Sequence, residues 1–241
     1  MEKLLMVSRS SREIGAVLRF VLSFAIPVAG IAQISVTGIA PNAPPVPPVS
    51  VTEIVPTSAT GIPPAPVTAI VPLDWQGKLQ FHAESAYGPW AIAGIAAYAG
   101  FLQEINSPPE WGQGAAAYGE RVASTAGWAG IHGVLAFSLD STLHEDPRYY
   151  RSRSTGFWRR SGHALRGTLL TRTDAGGETV SVWRIGSAYG AAYLSNLWYP
   201  DRLDTARLGF LQGTVTLGFA LANNLGLEFW PDIKSKLFHR K

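Results

Sequence analysis

The chain has 241 residues, is 46% hydrophobic and only 15% charged, and contains no cysteine. That excludes a disulfide framework, a thiolate metal site, a cysteine nucleophile and a lipid anchor on cysteine. A formal net charge of +3 is too small and too unevenly placed to suggest a nucleic-acid partner.

Residues 1–19 carry Lys3, Arg9, Arg12 and Arg19 against Glu2 and Glu13, and an apolar run follows from Phe20 to Ala32. Its 13 residues are short for a bilayer span but right for the core of a signal peptide. Gly30-Ile31-Ala32 supplies the small residues a signal peptidase requires, so cleavage after Ala32 is expected. Cleavage takes away four positive and two negative charges and leaves +1. An uncleaved short anchor is the alternative.

Residues 33–73 hold ten prolines, no Lys or Arg and one acid, Glu53. Val36-Thr-Gly-Ile-Ala-Pro41 returns as Val51-Thr-Glu-Ile-Val-Pro56 and again as Val67-Thr-Ala-Ile-Val-Pro72. Prolines at this density forbid helix and ladder pairing, which predicts a disordered, semi-rigid tether reaching on the order of 100 Å when extended. A spacer role suffices; docking to an aromatic groove on a protein partner is the functional alternative.

From residue 74 to 241 the pattern predicts an all-α, Gly/Ala-rich bundle of about four to six helices, associated with a membrane. Asp74 reads as the cap of a helix through Leu79 and His82 that Gly88-Pro89 stops. Four uncharged intervals follow, residues 85–103, 122–139, 185–200 and 208–227, of 19, 18, 16 and 20 residues. Small residues recur four apart within them: Ala96 and Gly100, Ala126 and Gly130, Ala129 and Gly133, Gly186 and Gly190, Gly218 and Ala222. Such spacing puts small residues on one helix face and lets a neighbour approach closely, with or without lipid. Ala126, Gly130, Gly186 and Gly190 are the candidate packing residues. In the last interval Val215, Leu217, Phe219 and Leu221 also alternate with smaller residues, which leaves a small outer-membrane β-barrel open.

If all four intervals crossed an inner membrane after cleavage, the outer loop 140–184 would carry eight Arg. That inverts the positive-inside rule. Periplasmic or outer-membrane association is therefore expected rather than four inner-membrane crossings.

The stretch Leu143-His-Glu-Asp-Pro-Arg-Tyr-Tyr-Arg-Ser-Arg-Ser-Thr-Gly-Phe-Trp-Arg-Arg160 stands out. His144, Glu145 and Asp146 are consecutive, a poor arrangement for one metal ion; an acidic residue meeting a following arginine is the plainer expectation. Seven Arg and no acid occupy 148–172. Arginine interleaved with Tyr and Trp suits a membrane interface. Arg148, Tyr149, Tyr150, Arg151, Arg153, Trp158, Arg159 and Arg160 are thus candidate contacts to lipid headgroups, with a solvated basic loop as the alternative. No residue pattern calls for a cofactor or metal, and no catalytic residue is identifiable.

Four stretches, Ser107-Pro-Pro-Glu-Trp-Gly-Gln-Gly114, Leu143-His-Glu-Asp-Pro-Arg-Tyr149, Ser195-Asn-Leu-Trp-Tyr-Pro-Asp-Arg202 and Glu228-Phe-Trp-Pro-Asp-Ile-Lys234, together resemble a family of exported bacterial proteins of unknown function. The resemblance implies export and a shared domain, and it carries no activity. Ser107 and Glu110 read as a capping box, and Trp-Tyr-Pro-Asp and Phe-Trp-Pro-Asp as aromatics before a break. Separately, Ser161-Gly162-His163 resembles the middle motif of PAP2-type membrane phosphatases, which would make His163 the proton donor to a leaving group. Arg160 stands where that motif has Pro, and the one later histidine, His239, would have to attack phosphorus. The expected role is structural or interactional in the cell envelope; a degenerate phosphatase and a soluble periplasmic binding module are the alternatives.

Overall fold

The computed structural model describes residues 71–238. The expected signal segment, the first two proline-rich repeats and His239 lie outside them. Six α-helices follow one another: α1 (Trp75–Tyr87), α2 (Pro89–Glu104), α3 (Ala115–Thr142), α4 (Phe157–Leu169), α5 (Val182–Ser195) and α6 (Ala206–Phe238). The all-α expectation holds, with one small addition. Strands β1 (Glu145–Asp146), β2 (Leu170–Thr173) and β3 (Glu178–Val180) pair antiparallel in that order. The barrel alternative falls, because the alternating stretch 215–221 lies inside α6.

Asp74 caps α1 as its sequence predicts, its Oδ1 accepting from the Gly77 N–H at 2.8 Å. Gly88 then closes the helix against the Glu84 carbonyl, and a side chain there would strike that oxygen at 2.5 Å. Pro89 has no N–H that would need an acceptor and starts α2 at once. The interval 85–103 is therefore two helices with a break, not one span.

The helices pack as a row rather than a ring. α1, α2 and α5 pack on α3, α6 packs on α5, and α4 packs on α6, while His82 of α1 also meets Trp183 of α5, ring centroids 5.4 Å apart. Neighbours run antiparallel. Lys78 at the start of α1 reaches Asp140 at the end of α3, and Gln103 at the end of α2 reaches Gly114 before the start of α3. The row thus has two ends. One gathers residue 71, the sheet, α4 and the end of α6; the other gathers the 105–114 and 196–205 connections.

Small residues make the seams. A Cβ on Gly186 or Gly190 would meet Leu139 or Leu135 of α3, each at 2.8 Å, so both glycines admit α3 as their spacing suggests. Gly130 and Ala126 serve differently. They seat the Tyr87 ring, whose hydroxyl donates to the Ala126 carbonyl at 2.9 Å, and a Cβ on Gly130 would overlap that hydroxyl. Gly100 and Gly218 face open space within 4 Å and join no seam. The tightest seam has no four-apart signal from α5: Tyr189 sits on Gly213 and Tyr193 on Gly209 of α6.

Two local expectations need correction. Ser107 does not cap a helix. A short 3-10 turn at Pro109–Trp111 has no side-chain cap, and the Ser107 carbonyl instead accepts from Arg121. Pro231 does not break the chain either, because α6 runs through it to Phe238. Proline removes one helix hydrogen bond and crowds the preceding turn. In that turn the Arg160 guanidinium also donates to the Glu228 carbonyl.

Candidate functional site

The candidate site is the end of the row built from the stretch 143–160. Glu145 and Asp146 are both buried but do opposite work. Glu145 caps α5, its carboxylate accepting from Val182 N–H at 3.3 Å and Trp183 N–H at 3.1 Å. Those N–H groups are free because a helix start has no preceding carbonyls to bind them. Burial pushes the Glu145 carboxyl above the usual glutamate range, and the two N–H groups offset only part of that. Asp146 accepts from the Arg148 guanidinium at 2.6 Å and the Tyr150 hydroxyl at 2.7 Å. Burial pushes it up too, but these donors outweigh burial and hold it below the usual aspartate range. So one acid of the pair meets a following arginine, as expected; the other reads backbone.

Across the sequence, the Glu228 carboxylate accepts from the Tyr149 hydroxyl at 2.8 Å, from the Ser152 N–H at 3.0 Å and from Arg160 Nε at 3.0 Å. Glu228 is fully buried. Burial would raise its carboxyl, yet these three donors hold it low. Arg160 also reaches Asp232 and lies 4.4 Å from the Phe229 ring centroid. Stretch 143–160 is thereby tied to 228–234. At the other end Trp111 of the 107–114 stretch stacks on Tyr199 at 5.6 Å, and Arg202 pairs with Glu110 at 2.7 Å. The stretches 107–114, 143–149, 195–202 and 228–234 thus form two spatial pairs, one at each end of the row.

Behind the site a buried polar cluster joins α1, α3 and the β2–β3 turn. Lys78 donates to Asp174 at 2.8 Å and to the Asp140 carbonyl at 3.2 Å. His82 Nε2 donates to Asp140 Oδ2 at 2.6 Å. Lower in the row Ser187 Oγ lies 3.2 Å from His132 Nε2. The serine and the aspartate hold different histidines, so no Ser-His-Asp relay forms. Among the described residues no three His, Asp or Glu side chains converge as a metal site would need.

The structure divides the eight candidate headgroup contacts. Arg148, Tyr149, Tyr150 and Arg160 are committed to the internal network above. Arg148 also donates to the Val71 carbonyl at 2.8 Å, holding the last residues of the proline-rich segment at this end. Arg151, Arg153, Trp158 and Arg159 are exposed, and the three arginines make no hydrogen bond or ion pair to a described residue. His163, the candidate phosphatase acid, is half-buried. Its Nε2 lies 2.8 Å from the Tyr150 carbonyl, which can only accept, so this nitrogen carries a proton and is already used. Arg160, beside it in sequence, is spent on carboxylates rather than left for a phosphate.

The chain matches no protein-family model, and comparison with curated proteins and with solved structures returns no significant match.

Sequence reasoning missed Glu145 as a cap, Glu228 as a hub and the Lys78–His82–Asp140–Asp174 cluster. Their partners stand between 37 and 96 residues away, beyond any local pattern. Glu228 did carry one signal: an acid at the end of a 20-residue uncharged interval needs a partner.

Proposed function

We propose that the protein is an exported cell-envelope component that sits in or against a lipid membrane and acts as a scaffold or interaction protein rather than an enzyme. The observation that carries this reading is an inverted distribution of side chains. Among the described residues eleven apolar ones are buried, and eight of them are alanine; the large ones are Leu102, Trp183 and Leu227. Twenty large apolar side chains of the described residues are exposed, among them Trp90, Ile92, Val134, Leu194, Phe210 and Phe219. Water drives large apolar groups inward, and a monomer rarely leaves this much outside. A lipid surround removes that drive and favours small residues at the seams. Helix α3 fits the same reading. It has 28 residues, and only 17% of its most apolar 18-residue window is buried; a core helix of similar composition would be covered.

Charge supports entry from the outer side. Of fourteen Lys and Arg in residues 71–238, eleven lie at the end that holds residue 71, and Arg121, Arg202 and Arg207 at the other. A chain that enters with its arginine-rich end after export inverts the positive-inside pattern of an inner-membrane protein. Among the described residues only α3 is long and apolar enough to cross, so association of the row with an envelope membrane fits better than four crossings.

The test is fractionation of cells expressing the full chain, with carbonate washing and flotation. The protein is expected with the floated membranes. Recovery in the soluble envelope fraction would sink the reading and leave the periplasmic binding module standing.

A further inference from the structure

Helix α4 stands apart from the seams. It packs on α6 through Ala164 and Thr168, both buried, and through Arg160. Arg184 of α5 binds its last carbonyls and Arg166 pairs with Glu178, but the face that carries Trp158 is uncovered. Trp158 is 83% exposed, the highest value among the exposed large apolar side chains, and Leu165 and Leu169 are about half exposed. At 100° per residue Trp158, Leu165 and Leu169 fall on one narrow strip, with Gly162 between them. Arg159 lies along one flank of that strip, and Arg151 and Arg153 precede it in the connection to Tyr150, all three exposed. Val180 and Val182 are exposed at the same end of the row. An apolar strip beside unpaired arginines is the arrangement of a helix that lies flat at a lipid surface.

We propose that the outer face of α4 docks parallel to an anionic bilayer leaflet. Trp158, Leu165 and Leu169 enter the boundary between headgroups and acyl chains, and Arg151, Arg153 and Arg159 bind lipid phosphates. This rests on the membrane reading above and adds which surface meets the headgroups and what their charge must be. It also sharpens the sequence expectation: Arg148, Tyr149, Tyr150 and Arg160 hold the platform in place, while Leu165 and Leu169 join the contact. The charge favours an anionic leaflet: none of the three arginines forms an ion pair with a described carboxylate, and Arg151 alone feels the charge of Asp232, which is itself held by Arg160. Guanidinium is suited to phosphate oxygens by its planar array of donors. The strip is convex and narrow, with no groove for a peptide.

The experiment uses the full chain reconstituted in vesicles of phosphatidylcholine alone, or of equal parts phosphatidylcholine and phosphatidylglycerol. Both contain acyl chains brominated near the headgroup. Quenching of tryptophan fluorescence is compared between the parent and Trp158→Phe, so that the difference reports Trp158 alone. The expected result is a quenching difference in the anionic vesicles, several-fold smaller in neutral ones, and lost when Arg151, Arg153 and Arg159 are all changed to Gln. Three surface arginines should shift binding on the order of 100-fold, and added salt should mimic the substitution. These positions face outward, so unchanged circular dichroism is expected of each variant. A protein that stays with the vesicles through carbonate washing but shows no Trp158 quenching in either lipid overturns the docking surface and leaves the membrane reading intact. Failure to remain with any vesicle overturns both. Protection of Trp158 from iodide by a polyglutamate peptide, with no quenching by bromolipid, would assign the surface to an acidic protein instead. Release by inorganic phosphate beyond the effect of chloride at equal ionic strength would make it a free-phosphate site, and the leaflet proposal would fall.

Discussion

The two ends of the row bury charge in opposite ways. At the end away from residue 71, Arg121 is fully buried and makes five hydrogen bonds, to the carbonyls of Ser107, Pro108, Gly112 and Ala117 and to Gln103 Oε1. A guanidinium has five N–H donors, and all its acceptors here are uncharged. At the other end three buried carboxylates, Glu145, Asp146 and Glu228, collect backbone N–H groups, tyrosine hydroxyls and arginines. One end folds its loop around a cation with neutral acceptors alone, the other around anions with N–H and O–H dipoles and, at Asp146 and Glu228, arginines as well. Arg121, like Glu145 on its two N–H groups, shows that a buried charge does not need a counter-charge. It needs its full set of donors or acceptors, because an unmet one costs more than a met one contributes.

The largest expected effect comes from emptying the cation's place. Arg121→Met leaves the Ser107, Pro108 and Gly112 carbonyls without their donor and should lower stability by about 3–5 kcal/mol. Denaturant unfolding in detergent would measure it. A loss under 1 kcal/mol would mean that water replaces the guanidinium and that the two ends are not equivalent solutions. Glu228→Gln removes the anion but keeps some acceptor capacity, and about 2–3 kcal/mol is expected. Pairing it with Arg160→Gln in a double-mutant cycle should show coupling, whereas Glu228→Gln with Arg121→Met should be additive, since the ends share no partner.

A seam between the ends gives a third value. Gly213→Ala places a methyl into the Tyr189 ring, and three ring atoms lie within 3 Å of it, so about 1–3 kcal/mol should be lost. Gly218→Ala on the same helix meets nothing within 4 Å and should be neutral or slightly stabilising.

Acid should separate the ends further. Asp146 has a lowered carboxyl pKa in the fold, so its contribution is present above the unfolded value and is lost as pH falls through the folded one. Glu145 is raised, so its contribution is complete below the unfolded value and is lost as pH rises through the folded one. Asp146→Asn should therefore cost more at pH 7 than Glu145→Gln, and it should reduce the loss of stability on acidification below about pH 4. The Arg121 cradle contains no titrating partner. Amide exchange in residues 105–114 should stay slow at a pH where residues 145–152 have begun to loosen; simultaneous loosening would contradict the contrast. The smallest effect belongs to the exposed Arg202–Glu110 pair, where Arg202→Ala should cost at most about 0.5 kcal/mol, read as a shift in the thermal midpoint.

How legible was this in the sequence? The helices were, because they rest on local rules. Asp74, Gly88-Pro89 and the uncharged intervals mark α1, α2, α3 and α6 directly. The hairpin was missed, although Thr171-Arg-Thr173 and Glu178-Thr-Val180 flank a Gly176-Gly177 turn in which Gly176 takes φ +87°, a conformation glycine accepts without strain. Tertiary support from Glu145 and Asp146 turns that weak local signal into strands. Pro231 reads as a break because proline cannot donate the helix bond to the carbonyl four residues earlier, yet α6 continues through it. The basic stretch was read as one surface. Half of it is internal: the neighbouring Asp146 takes Arg148 and Tyr150, and the distant Glu228 takes Tyr149 and Arg160.

The paired notches on α6 have one more consequence. Tyr189 sits in the notch at Gly213 and Tyr193 in the notch at Gly209, so pegs and notches share the same four-residue spacing on two antiparallel helices. Sliding α6 by four residues, about 6 Å, does not unseat both rings. It lifts one and drops the other into the neighbouring notch: Tyr193 into Gly213 in one direction, Tyr189 into Gly209 in the other. The seam is therefore graduated like a ratchet, with a full detent at the native register and a half detent one tooth away on each side.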